Sequence, residues 1–178
     1  KPVSHSLDGV LEVVEAIERS KLVGMIGFCM RFFKPLMRAK ELIDAGRIGR
    51  IVTARSFTGV HLPLWHPWED YRTFYMAKKE QGGGVLLDEC HAFDWMQWLC
   101  GPITGVFSVV GTFSDLEVTT DDVCEVIARF ASRAVGFPAT GRTSTMSNPA
   151  VSAPMIMVAS PSTSATLARI PVAVWTSG

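Results

Sequence analysis

Asp88 and His91 stand three residues apart in the stretch GGGVLLDECHAFDWMQWLCG, residues 82–101. On an α-helix that spacing puts two side chains on one face. One small volume then holds a carboxylate and an imidazole, with the acid as the possible orienting partner of a proton acceptor. The three glycines ahead of them reach backbone angles that other residues avoid, and they let a ligand or another backbone come close. A structural reading competes, in which Asp88 caps a helix start and His91 is a partly buried core histidine. A metal reading competes too, since Asp88, Glu89 and His91 are all ligand types. Only two of those three share a face, so a closed site would need His61 or His66 as well, and no metal ligand is assigned.

Two other groups of residues carry chemistry by position. Lys1 and Pro2 precede an amphipathic segment, where the carboxyl end of a preceding strand would lie in an α/β sheet, and ligands bind at such ends. A lysine there can donate to a ligand oxygen. Trp65, Trp68, Tyr71 and Tyr75 supply flat apolar faces, with His61, His66 and Arg72 as donors beside them. That mixture suits a sugar ring, whose C–H faces pack on aromatics while its hydroxyls hydrogen-bond. The alternative is a loop that folds its own aromatics into a small satellite core.

The elements that must position these groups follow from periodicity. Leu7, Val10, Leu11, Val14 and Ile17 predict a helix over 4–20 with one buried face. LVGMIGF, residues 22–28, predicts a strand buried on both sides. A second helix follows Arg31, with Pro35 in its first turn, Leu36, Ala39, Lys40 and Ile43 along one stripe, and Gly46 ending it. IVTARSFTGV, 51–60, alternates as a strand. Residues 61–81 read as a long structured loop. A helix spans Val85 to Leu99, and VFSVVGTF and VCEVIARF give two more strands joined through Asp115 to Asp122.

Composition bounds the partners. The chain has 178 residues, 48% of them hydrophobic, and 17 basic residues balance 17 acidic ones. No charge excess points to nucleic acid or an anionic membrane surface, and no apolar run is long enough to span a bilayer. A small molecule is the expected partner. The cysteines at 29, 90, 100 and 124 follow no paired spacing and read as reduced thiols of a cytoplasmic protein. Residues 136–178 hold two arginines, no lysine and no acidic residue, and half of the ten prolines. Those prolines argue against continuous helices or central strands. The stretch reads either as a low-complexity, disordered tail or as the product of a frameshift, since a one-base shift can turn 136–141 into an alternating strand.

The order of the motifs resembles the Gfo/Idh/MocA oxidoreductases, named for glucose-fructose oxidoreductase and inositol dehydrogenase. Lys1-Pro2, GFCMRFFKP, DAGRIGRI, HLPLWHPWEDYR and the glycine-led helix carry the likeness from residue 1 to about 135. The resemblance implies an α/β (α+β) chain: a C-terminal remnant of a Rossmann domain over 1–31, then a substrate and oligomerisation domain over 32–135 with an open, mainly antiparallel sheet. It implies NAD or NADP as cofactor, a sugar, sugar-nucleotide or cyclitol substrate, and a homo-oligomer formed through the sheet. Lys1, Asp88 and His91 take catalytic roles by resemblance, Lys1, Pro2 and Arg31 are expected at the cofactor, Tyr71 and Arg72 lie in the family's substrate loop, and His61 and Trp65, from the aromatic and donor chemistry above, are expected to face the substrate with them. The family's Gly-x-Gly-x-x-Gly fingerprint is missing from this sequence, so upstream residues are expected to hold it and the piece itself is expected to be inactive. A non-catalytic sugar-binding or assembly module and a metal-dependent hydrolase are the competing functions.

Overall fold

Alternation in VCEVIARF sends Cys124, Val126, Ala128 and Phe130 to one face of a strand, and all four are buried. The rest of the fold is built on that face. A computed structural model of the chain describes residues 1–143, 150–153, 156–158 and 168–170.

In chain order the helices are α1 (Val10–Ser20), α2 (Lys34–Asp44), α3 (Leu62–Trp65), α4 (Val85–Asp88) and α5 (His91–Cys100). The strands are β1 (Thr53–His61), β2 (Ile103–Gly111), β3 (Val123–Phe130), β4 (Val135–Thr143), β5 (Ala150–Ala153), β6 (Ile156–Val158) and β7 (Ala168–Ile170). Five of them form one sheet in the order β2-β3-β4-β1-β5, and β6 pairs with β7. Three of the four pairings in the larger sheet are antiparallel, and β1 with β4 is parallel. The chain is thus a mixed α/β structure with an open, mainly antiparallel sheet.

The core lies between the sheet and two helices. Trp95, Met96 and Leu99 of α5 and Leu36 and Ala39 of α2 pack on Ala54, Cys124, Val126, Ala128 and Phe130. Gly136 permits this closeness, because a Cβ there would come within 2.6 Å of the Phe130 ring. In α2, Pro35 sits in the first turn and Gly46, at φ 66°, follows the end, as the sequence predicts.

Three expectations need correction. The segment 22–28 is not a strand, and Val23 is 97% exposed. An extended segment gains stability only from a hydrogen-bonded neighbour, and no described strand lies beside this one. α1 begins at Val10 rather than near Ser4, directly after Gly9 in the left-handed region at φ 71°, and no residue of it is buried. Secondly, the helix expected over 85–99 is split, because Glu89 at φ −93°, ψ 19° turns the chain out of helical register between α4 and α5. Thirdly, residues 136–143 form most of β4, with Pro138 in a central strand. The β3–β4 pairing steps from Ala128↔Gly136 to Glu125↔Ala139, passing over Phe137 and Pro138 on the side where the proline has no N–H to donate, while Pro138 keeps its register with Ser56 of β1. β4 does alternate as it stands, with Gly136, Pro138, Thr140 and Arg142 facing inward. The tail reading for 144–149, 154–155, 159–167 and 171–178 lies outside the described residues.

Candidate active site

Glycine chemistry at 82–84 decides where Asp88 goes. A Cβ on Gly83 would lie 2.2 Å from the Tyr75 carbonyl oxygen, and one on Gly84, at φ 111°, would lie 2.4 Å from an Asp121 carboxylate oxygen. The close approach the glycines allow is therefore that of the chain's own loop. Asp121 then starts α4: its carbonyl accepts from the Val85 N–H at 3.0 Å and its carboxylate from the Leu86 N–H at 2.7 Å. One turn later Asp88 emerges beside Tyr75.

Three donors converge on the buried Asp88 carboxylate. The Tyr75 hydroxyl donates to Oδ1 at 2.8 Å, Lys1 Nζ lies 3.6 Å from the same oxygen, and Arg142 Nη2 donates to Oδ2. Burial, then the Asp88 hydrogen bond, push the Tyr75 phenol up to about 12, so it stays a donor at neutral pH. A cavity of about 430 Å³ opens here, lined by Lys1, Pro2, His5, Tyr75, Gly82 and Asp88 among others.

His91 opens α5 and is half-buried. Its Nε2 lies 4.0 Å from Cys29 Sγ, Phe28 meets the ring edge-on at 6.1 Å, and Nδ1 is buried without a partner among the described residues. Burial, and then the Lys1 charge, hold the imidazole below its ordinary pKa of 6.5. It is neutral near pH 7 and can accept a proton. Among the described contacts Asp88 and His91 make no direct hydrogen bond, so the expected orientation of one by the other is replaced by separate partners.

The remaining predicted residues are placed elsewhere. Arg31 is clasped by Asp94, Nη2 to Oδ1 at 2.7 Å and Nε to Oδ2 at 2.9 Å, which raises its pKa further. Tyr71 packs with Leu62, Met76 and Leu116 in a second small core, its hydroxyl accepting from the Glu117 N–H at 3.2 Å. Arg72 is held by Asp70 and Glu117 at 2.8 and 3.3 Å. His66 stacks on Trp68 at 5.0 Å and on Trp65 at 6.2 Å, and His61 ends β1. None of Arg31, His61, Trp65, Tyr71, Arg72 and His91 lines the cavity beside Lys1 and Asp88. Tyr75, from the same loop as Tyr71 and Arg72, does. Arg142 and Asp94 carried no site signal in the sequence, although Asp94 continues the three-residue spacing of Asp88 and His91. Among the described residues no group of three or more His, Cys, Asp or Glu gathers to hold a metal ion, and no helix is long and apolar enough to cross a membrane.

A family model described as the GFO/IDH/MocA C-terminal domain matches residues 36–155. The chain belongs to that family. The GFO/IDH/MocA relatives include a 2,7-anhydro-N-acetylneuraminate hydratase of Escherichia coli, 29% identical over 113 residues, which cover 62% of this chain and 28% of the relative. An uncharacterised oxidoreductase of Streptococcus pneumoniae is 31% identical over 116 residues, 62% of this chain and 29% of its own. The levoglucosan dehydrogenase of Pseudarthrobacter phenanthrenivorans is 28% identical over 115 residues, 64% and 29%. The chain thus spans under a third of these relatives' length. Among solved structures, levoglucosan dehydrogenase in complex with NADH shares the fold at TM-score 0.72, with 24% identity, over 89% of this chain and 43% of that one. The WlbA dehydrogenase of Bordetella pertussis, in complex with NADH and UDP-GlcNAcA, gives TM-score 0.69 and 21% identity over 89% and 46%.

Proposed function

We propose that the whole protein is an NAD(P)-dependent oxidoreductase that moves a hydride between nicotinamide and a hydroxyl-bearing carbon of a sugar, sugar nucleotide or cyclitol. The observation that carries this reading is the meeting of Lys1, Tyr75 and Asp88 at one cavity, with a neutral His91 outside its lining but within electrostatic reach of Lys1 and Asp88. Family membership supports the reaction class. Relatives named as dehydrogenases, and neighbours solved with NADH and a sugar nucleotide, support the cofactor and the substrate class.

The donor set fits the reacting end of the cofactor only. Lys1 and Pro2 stand at the cavity rim and would hold the nicotinamide end, whereas no glycine fingerprint for the pyrophosphate occurs in this sequence. Arg31, expected at the cofactor, is committed to Asp94 and ties the turn that carries Cys29 to α5. Bound nicotinamide supplies the hydride acceptor or donor. The protein does the rest: His91 takes the hydroxyl proton, and Lys1 hydrogen-bonds the reacting oxygen and stabilises charge that develops on it. Asp88 holds Lys1 and Tyr75 in place. Oligomerisation through the outer face of the sheet belongs to the same reading, as does a cytoplasmic location.

The experiment is cofactor reduction by the whole protein across sugars, sugar nucleotides and cyclitols, comparing wild type with His91→Ala. Loss of at least about 100-fold in turnover with cofactor binding retained is expected, since general acid/base groups contribute on that order. Sugar binding with no turnover in the wild type would favour a non-catalytic binding module instead.

A further inference from the structure

The geometry points to Arg142 as the positioning residue of this site, the group that fixes which way the Asp88 carboxylate faces. The inference rests on the reading of Lys1, Asp88 and His91 given above. Arg142 is only 3% exposed, and its Nη2 donates to Asp88 Oδ2. The other oxygen, Oδ1, takes the Tyr75 hydroxyl and faces Lys1. A carboxylate gripped at one oxygen by a buried cation does not rotate, so Lys1 and Tyr75 meet a fixed acceptor.

Two features argue against an incidental core arginine. Its backbone is clamped on both sides, by register with Val60 of β1 and by donation of its N–H to the Asp122 carbonyl at 2.7 Å. Its Nη1 is buried without a partner among the described residues, a desolvation cost that nothing local offsets. Among the described residues the side-chain hydrogen bond of the guanidinium is the one to Asp88. A planar, permanently charged fork holds a carboxylate's orientation better than an ammonium does. Asp88 then serves as a fixed hydrogen-bond acceptor for Tyr75 and Lys1, and proton transfer falls to His91.

The test uses the whole protein with its cofactor and a sugar that it turns over. Arg142→Gln lowers kcat about 100-fold, the order expected for an ångström-scale misplacement, with KM changed less than about threefold. Arg142→Lys, which keeps the charge but not the fork, regains about tenfold of that loss. In an Asp88→Asn background Arg142→Gln costs nothing further, because residues that act as one unit are not additive. A kcat within about twofold of wild type, a loss confined to KM, or losses that multiply in the double variant would overturn the inference. Should Arg142→Gln fail to fold by circular dichroism, Arg142→Lys carries the same double cycle. Should the wild type turn over nothing, the functional reading fails by itself. Urea unfolding of the whole protein with each single change and with both then decides the pairing: non-additive losses support it, and additive ones overturn it.

Discussion

Arg31 and Asp94 form a two-pronged ion pair that ties the turn at Cys29–Phe32 to the first turn of α5, with the carboxylate nearly buried and the guanidinium half exposed. The turn also carries Cys29, which touches His91. Removing the anion, as in Asp94→Asn, therefore loosens the wall behind the imidazole. After allowance for solvent screening of the arginine, the loss is about 1–2 kcal/mol. Urea unfolding of the chain measures it, and an unchanged midpoint would show that the pair holds nothing.

His91 sets a pH dependence. Its folded pKa is depressed, so as the pH falls through about 6.5 the unfolded chain takes up the proton before the folded one does. The stability that neutral His91 contributes is complete above that value and is lost as the pH drops toward the folded pKa. Turnover falls along the same acid limb. Because the Lys1 charge is the second cause of the depression, Lys1→Met moves the imidazole titration to higher pH. NMR of the His91 ring checks both statements, and a wild-type titration above 6.5 would contradict them.

Gly83 tolerates no side chain. A Cβ 2.2 Å from the Tyr75 carbonyl oxygen, with the Met76 and Lys78 oxygens at 2.8 and 2.9 Å, meets backbone that cannot step aside. Gly83→Ala is expected to cost about 2–3 kcal/mol or to prevent folding, and it should separate Tyr75 from Asp88. Thermal unfolding reads the first effect. A variant as stable as wild type would mean that the loop relocates freely.

The outer face of the sheet carries the proposed association. Phe107 and Ile127 are register partners, 69% and 44% exposed, and Phe57 of β1 adds to the same apolar surface. Ile127→Glu places a charge in its middle, so the assembled whole protein should fall to smaller species in sedimentation. An unaltered sedimentation profile would move the interface elsewhere.

Legibility in the sequence followed locality. β1 and β3 were readable because one buried face alternates with one that is not, and α2 because Pro35, the stripe of Leu36 and Ala39, and Gly46 all act within a dozen residues. Asp88 and His91 were readable for the same reason, although the break at Glu89 was not. β4 was hidden because its inward residues are Gly136, Pro138, Thr140 and Arg142, which carry no apolar signal. Segment 22–28 misled because a long apolar run specifies burial without supplying the strands that would cover it. The ion pairs of Arg142 and Arg31 join residues 54 and 63 positions apart, and no window along the chain connects them.

The parallel pairing of β1 with β4 matches residues roughly 80 positions apart, a closure that must be completed before its contacts reward it. Arg142 reaches Asp88 only when that closure is made. A chain still waiting for β4 has its first three strands available but leaves Asp88 without its buried cation, so the carboxylate is fixed by a long-range step of folding rather than a local one.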